Sequence, residues 1–212
     1  GVHFSPILFL VLPVYAIRQT PETLLVLQSF IIALGALPLY WFARDSLRNK
    51  LVALGFSATY LLYPLLHGVN WYDFHLPSFL PLFFFLAMYY LKNEKWTKYF
   101  AFIILALAVA ESVPLVVLFI GFYALWMYRK TLFATLKQKD LSDKKILIPL
   151  TTITLAISWL LIARWIQSTF FPIDPEFSKF YRAVDYWSVL GIEDDPVMMP
   201  LYIFLNPFKV FG

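Results

Sequence analysis

The sequence of 212 residues contains no cysteine and few charged residues. The lack of cysteine excludes disulfide bonds, thiolate metal ligands and cysteine nucleophiles. Charged residues make up 14% of the chain, whereas they make up about 25% of an ordinary soluble domain. The sequence also lacks internal repeats, a glycine-rich phosphate loop and the HExxH, GxSxG and paired metal-ligand motifs. Any chemistry must therefore come from residues that no standard motif marks.

Apolar residues dominate the composition, since 61% of the chain is hydrophobic and 20% is aromatic. They fall in runs of roughly 15 to 24 residues broken by short charged stretches, and about 20 apolar residues cross the hydrocarbon layer of a bilayer. The pattern predicts an all-α fold, a polytopic transmembrane helical bundle that forms a single transmembrane domain. The chain begins without methionine or a signal-peptide pattern and stops in mid-pattern, so we expect a fragment of a larger protein.

The apolar runs differ in length. Residues 5–17 are short and contain Pro13, which predicts an interfacial helix. Residues 97–128 would make a helix roughly 45 Å long with Glu111 and Pro114 in mid-membrane, so we divide this stretch into two spans. The predicted spans are residues 22–43, 51–67, 76–91, 97–110, 113–128 and 146–166.

The basic residues predict how the chain is oriented in a cell membrane. Three loops hold twelve of the seventeen lysines and arginines, namely residues 44–50, 92–98 and 129–145. The predicted spans place all three loops on one side, which the positive-inside rule assigns to the cytoplasm. Residues 1–21, the loop 68–75, the turn at Glu111 and the segment 167–212 then lie on the extracytoplasmic side. Orientation explains the net charge of +4, and no basic stripe indicates nucleic acid.

The loop 68–75 is the first candidate functional region. Asp73 and His75 are two residues apart, so their side chains face the same way in an extended loop. Such a pair could bind a divalent cation, accept a proton from an acceptor hydroxyl, or hold a phosphate through a protonated His75. The equal alternative is a solvated turn in which Trp71 and Tyr72 are interfacial residues.

Glu111 is the second candidate, because an ionisable group near the bilayer centre costs about 3 kcal/mol or more. We expect it either to be a polar residue at the outer turn of a hairpin or to face one aqueous cavity with Asp73 and His75. His3, on the same predicted side, is a weaker candidate for this cavity. For the aromatic and acidic segment 167–212, packing is the first interpretation and ligand contact is the second.

Several short motifs follow one another along nearly the whole chain. They are His3–Ile7, Leu27-Gln28, Gly35–Tyr40 with Ala43-Arg44, Tyr63-Pro64, Asp73–His75, Glu111 with Val113, Tyr186 with Leu190-Gly191, and Asn206-Pro207. In this order they resemble the domain-of-unknown-function family 2079 of membrane proteins, which looks like the GT-C class of glycosyltransferases. The resemblance implies a GT-C-like helical bundle.

The GT-C resemblance also implies where a catalytic acid would lie. In that class an outer loop with an acidic catalytic residue precedes an interfacial helix and a span that ends at basic residues. Residues 1–50 fit the later part of this order, so the expected catalytic base lies upstream of Gly1. One departure is Ala110-Glu111-Ser112, where the resemblance implies a Lys-Glu-Asp type triplet. The departure weakens a metal or phosphate role at Glu111.

These inferences predict a multi-pass membrane glycosyltransferase that transfers a sugar from a polyprenyl-phosphate-linked donor to an acceptor on the extracytoplasmic side. Asp73, His75, Glu111 and His3 would support the reaction by holding phosphate, metal or acceptor. The expected partners are membrane lipid and the lipid-linked donor, in a protein that could belong to a membrane complex. No cofactor is identified, and a divalent cation is the candidate.

Two other classes compete with the enzyme hypothesis. The alternative function is a non-catalytic membrane subunit or lipid-binding scaffold with a GT-C-like helical frame, which Ser112 favours slightly. An acid upstream of Gly1 would favour the enzyme, and its absence would favour the scaffold. A secondary transporter predicts inverted repeats with ionisable residues near the midplane, and Glu111 is the only such residue found.

Overall fold

A computed structural model of the protein describes residues 4–71, 73–130 and 143–171. Every regular element in these ranges is helical, which confirms the predicted all-α fold. The chain divides into two compact units, residues 2–166 and residues 167–212 together with Gly1. The first unit contains the candidate site. Of the second unit, the structure describes residues 167–171. Residues 167–170 end the last helix, and Phe171 follows it.

The helices of the described residues follow one another with short connections. In chain order they are α1 (Leu8–Ile17), α2 (Pro21–Leu34), α3 (Ala36–Leu47), α4 (Lys50–Leu61), α5 (Pro64–Trp71), a 3₁₀ helix (Leu76–Phe79), α6 (Leu80–Lys92), α7 (Trp96–Leu107), α8 (Val113–Met127) and α9 (Lys144–Phe170).

Three helical stretches of the described residues are long and apolar enough to cross a membrane. They are Pro21–Leu47, Lys50–Trp71 and Lys144–Phe170. They support a membrane location and contain the predicted spans 22–43, 51–67 and 146–166. The other predicted spans fall on shorter apolar helices, Leu76–Lys92, Trp96–Leu107 and Val113–Met127. That these shorter helices cross the bilayer, and that α1 lies at its interface, stay predictions.

The first long stretch is interrupted at Gly35, inside the predicted span 22–43. Helix α4 packs against the interruption, where Ser57 Oγ donates to Ala36 O at 3.0 Å and Tyr60 Oη donates to Ile32 O at 2.9 Å. A Cβ atom at Gly35 would lie 2.5 Å from the Tyr60 hydroxyl oxygen. Glycine therefore permits this close approach, and the hydroxyl groups join two otherwise apolar surfaces.

The second long stretch continues further than predicted. Helix α5 begins at Pro64, whose fixed φ suits the first helical position. The helix then runs to Trp71, so residues 68–71 of the predicted loop are helical. The non-helical connection is correspondingly short and contains Asp73 and His75.

Helices α7, α8 and α9 share a buried contact region. The hydroxyl groups of Tyr99 and Thr152, both fully buried, lie 3.0 Å apart. A Cβ atom at Gly121 of α8 would lie 2.6 Å from Cγ1 of Ile153 in α9. The backbone of α8 therefore approaches α9 at a distance that only glycine permits without a shift of the neighbouring side chain.

Described residues of the three predicted basic loops contact one another. Lys92 Nζ donates to Ser46 Oγ at 2.6 Å, which joins the loop 92–98 to the loop 44–50. Lys145, in the first turn of α9, has its Nζ 2.7 Å from Glu94 Oε1 in the loop 92–98. That the three loops share one side of the membrane, and that this side is the cytoplasm, stay predictions.

Large apolar side chains cover much of the outer surface. Phe9 and Ile17 of α1 are 77% and 83% exposed, and Leu51 and Trp71 at the two ends of the second long stretch are 79% and 88% exposed. Soluble monomers rarely expose apolar surface this extensively. Contact with lipid explains the composition of these faces.

Candidate functional site

The Asp73–His75 loop is held against α2 by one buried glutamine. Gln28 is fully buried within the apolar α2. Its Oε1 accepts a hydrogen bond from the backbone N–H of His75 at 2.7 Å, and its Nε2 donates to Val69 O at 3.3 Å and, more weakly, to Asp73 O at 3.5 Å. One carboxamide thus forms hydrogen bonds with backbone groups on both sides of the loop. These bonds also give the buried carboxamide the partners that it needs.

Two neighbouring contacts strengthen this attachment. Ser29 Oγ, next to Gln28 in the chain, donates to Asn70 Oδ1 at 2.8 Å. On the other side of the loop, the rings of Phe74 and Phe79 meet edge to face with centroids 6.0 Å apart. The loop is therefore fixed at its start by hydrogen bonds and at its end by aromatic packing.

Asp73 and His75 form a side-chain pair on this loop, and their role in a functional site stays a prediction. His75 Nδ1 lies 2.9 Å from Asp73 Oδ1 and 2.8 Å from Asp73 O. Both oxygens are acceptors, so Nδ1 is the ring nitrogen that carries the hydrogen in these contacts. The two side chains are 75% and 44% exposed, which makes the pair accessible from outside.

Glu111 lies in the turn between α7 and α8, half-buried beside the N-terminal segment. Its Oε2 accepts a hydrogen bond from the backbone N–H of Phe4 at 3.2 Å. Three residues earlier, Ala108 O accepts from Ile7 N at 2.9 Å. The first bond gives Glu111 a structural contact with Phe4, and the second attaches the same turn to Ile7. That it shares a cavity with Asp73 and His75 stays a prediction.

The remaining candidates lie outside the described residues. These are His3, the interfacial candidate Tyr72 and the segment from residue 172 to the end of the chain, which holds most of the acidic tail. Within the part of the chain that the structure describes, no three histidine, aspartate or glutamate side chains are grouped as metal ligands. The predicted divalent cation therefore has no ligand set among those residues.

Gln28 and Ser29 were not predicted to belong to the site. Their signal is present in the sequence, because they are adjacent polar residues within the apolar run of α2. A polar group inside an apolar helix requires a hydrogen-bond partner, since leaving it unpaired in a membrane costs several kcal/mol. The partner could not be identified, because it lies 41 to 47 residues away along the chain.

Comparison with known proteins identifies the family. The family model described as predicted membrane protein (DUF2079) matches residues 1–194. No curated protein and no solved structure matches the chain significantly. The family match extends over most of the chain, carries the apolar helices described above and includes Gln28, Asp73, His75 and Glu111. The chain therefore belongs to the DUF2079 family of predicted membrane proteins.

Proposed function

We propose that this protein is an integral membrane glycosyltransferase that transfers a sugar from a polyprenyl-phosphate-linked donor to an acceptor on the extracytoplasmic side. The observation that carries the proposal is the accessible Asp73–His75 pair on a loop attached to the buried Gln28. A loop fixed in this way holds its imidazole in one orientation before a substrate binds. Such preorganisation is what a group needs if it is to act on charge that develops in a reaction.

In the proposed reaction the Asp73–His75 pair stabilises the leaving phosphate, and a carboxylate base accepts the proton of the acceptor. The acceptor oxygen forms a bond to the anomeric carbon of the sugar, and the bond from that carbon to the phosphate oxygen breaks. The phosphate leaves with the electron pair, and the acceptor proton passes to the base. Protonated His75 donates from Nε2 to a phosphate oxygen, while Asp73 accepts from Nδ1 and orients the ring.

The position of the pair supports an extracytoplasmic reaction. The second long stretch begins at Lys50, in the basic loop 44–50, and ends at Trp71, just before the pair. A stretch of 22 residues that crosses the bilayer puts its two ends on opposite faces. If the basic loops face the cytoplasm, Asp73 and His75 face the other side.

The test uses the whole protein in nanodiscs with a panel of labelled polyprenyl-phosphate sugars, and it measures released or transferred sugar. We expect His75→Gln and Asp73→Asn each to lower turnover at least about tenfold, because each removes part of the stabilisation of the leaving phosphate. Asp45→Asn is the matched control, since Asp45 pairs with Arg44 at 2.8 Å in a basic loop. It should change turnover less than about twofold, as expected for an exposed pair.

A second candidate function is a non-catalytic subunit or lipid-binding scaffold. The hydrogen bond from Phe4 N to Glu111 Oε2 favours it, because it gives this acid a packing role. The same assay separates the two functions. Binding of the donor without turnover, across the whole panel, would contradict the enzyme and support the scaffold. Turnover that His75→Gln and Asp73→Asn leave unchanged would place the reaction elsewhere in the protein.

A further inference from the structure

An open groove of 380 Å³ separates α1 from α2. Its walls are mainly apolar and are formed by Val14 and Ile17 of α1 and by Val26, Leu27 and Phe30 of α2. A volume of 380 Å³ is within the size range of ligand sites, which is about 300 to 1,000 Å³. The walls suit a hydrocarbon chain and offer little to a small water-soluble ligand.

The groove has a polar end at the turn between the two helices. Arg18 stands there, and its carbonyl oxygen accepts from Thr20 N at 2.9 Å and from Thr23 Oγ1 at 2.7 Å. These bonds fix the backbone of the turn and leave the exposed side chain of Arg18 at the groove. No residue within the described ranges gives the guanidinium group a hydrogen bond or an ion pair.

Arg18 is also separated from the basic loop 44–50. Helices α2 and α3 run from this turn to the basic loop 44–50, so the turn and that loop lie at opposite ends of the first long stretch. Among the described residues, one acidic side chain lines the groove, that of Glu22 in the first turn of α2. A negative ligand at this end therefore meets one attractive charge, at Arg18, and one repulsive charge, at Glu22.

From the apolar walls and the cation at one end, we propose that the groove binds an anionic, phosphate-headed membrane lipid. The lipid phosphate contacts the Arg18 guanidinium, and an acyl chain lies between α1 and α2. Arginine suits this role because its fork of N–H donors matches phosphate oxygens. Ile17, which lines the groove, is 83% exposed, so the groove borders an apolar outer surface that suits contact with lipid. The site requires no glycosyl transfer, so its test is independent of the proposed reaction.

Photolabelling tests the site directly. The whole protein is placed in phosphatidylcholine nanodiscs with a trace of phosphatidylglycerol that carries a diazirine in its acyl chain, and labelled peptides are mapped by mass spectrometry. We expect labels within residues 14–30. Arg18→Gln should lower this labelling at least about fivefold, and Arg18→Lys should retain most of it, because the charge is kept. Glu22→Gln should raise it by removing the repulsive charge.

Two controls separate charge from packing. Val26→Trp fills the groove without changing its charge and should also lower labelling, whereas Arg48→Gln removes a cation in a basic loop and should leave labelling of residues 14–30 unchanged. The proposal is overturned if the same probe on phosphatidylcholine labels the groove equally well. It is overturned as well if Arg18→Gln, shown to be folded by its thermal denaturation, labels like the wild type.

Discussion

At the scale of single residues, the candidate site depends on Gln28 as much as on the exposed pair. The hydrogen bonds of this fully buried carboxamide reach backbone groups of Val69, Asp73 and His75. Asp73 and His75 can face each other in many flexible loops. The buried carboxamide is what selects one loop conformation, and hence one direction for the imidazole ring.

Replacing Gln28 should therefore loosen the loop. Gln28→Met keeps the approximate volume but removes the donor and the acceptor, which leaves partly buried backbone groups unpaired. We expect the free energy of unfolding in detergent to fall by about 1 to 3 kcal/mol. Amide exchange of residues 69–75 should also become faster.

Gln19 provides the matched control, because it is exposed. Gln19→Met should change the free energy of unfolding by less than about 0.5 kcal/mol. Equal effects of the two substitutions on stability and on amide exchange would show that Gln28 does not hold the loop.

A second residue-scale feature is the tight turn between α3 and α4. Arg48 has a φ of 52°, in the left-handed region, and Asn49 caps α4 by accepting from Leu51 N and Val52 N at 3.0 and 3.2 Å. The left-handed conformation costs a residue with a Cβ atom about 1 kcal/mol or more. The turn thus reverses the chain at the expense of some backbone strain.

Arg48→Gly should relieve this strain and raise the free energy of unfolding by about 0.5 to 1 kcal/mol, as measured by chemical denaturation in detergent. Arg48→Ala removes the same charge but keeps the Cβ atom, so it should show no such gain. If both variants gained stability equally, loss of the positive charge would be responsible and the strain would not.

At the scale of elements, small residues and hydroxyl groups determine how the helices pack. Gly35 and Gly121 each lie where a Cβ atom would meet a neighbouring helix, and Ser57, Tyr60 and Thr152 supply hydrogen bonds at the same contacts. Apolar side chains alone do not drive association in lipid, because the surrounding lipid tails are equally apolar. Close backbone approach and hydrogen bonds therefore hold the helices together.

Gly121 and Gly55 allow a test of the claim that close backbone approach holds the helices together, because both are glycines within helices. A Cβ atom at Gly121 would lie 2.6 Å from Ile153 Cγ1, whereas nothing lies within 4 Å of one at Gly55. Gly121→Ala should lower the free energy of unfolding by about 1 to 3 kcal/mol through overpacking of α8 against α9. Gly55→Ala should leave it unchanged or raise it by up to about 1 kcal/mol. Thermal denaturation that ranks the variants in the reverse order would contradict this packing.

At the scale of the whole molecule, the sequence predicted the helical class but not the long-range contacts. Runs of apolar residues between charged loops were sufficient to predict an all-α membrane protein, whereas the spacing of Asp73 and His75 indicated only that their side chains face the same way in an extended loop. The close approach of Tyr60 to Gly35 was missed, because it depends on packing from another helix. The contact of Glu111 with Phe4 was missed for the same kind of reason, since 107 residues separate them.

At this scale the proposed reaction also requires the basic loops and the candidate site to lie on different faces of a membrane. One hydrogen bond, between Lys92 and Ser46, and one ion pair, between Lys145 and Glu94, connect described residues of the basic loops. The Asp73–His75 loop follows the far end of the stretch Lys50–Trp71. Glycosyl transfer to an extracytoplasmic acceptor requires these two ends to face opposite sides.

Single-cysteine labelling in intact cells tests this sidedness directly, because the sequence contains no cysteine that would give a background signal. Asp73→Cys places a thiol at a position that is 75% exposed, and Lys95→Cys places one in an exposed basic loop. A membrane-impermeant maleimide should label the thiol at residue 73 in intact cells and the thiol at residue 95 only after permeabilisation. Labelling of both thiols in intact cells, or of residue 95 alone, would contradict an outward-facing site and with it the proposed reaction.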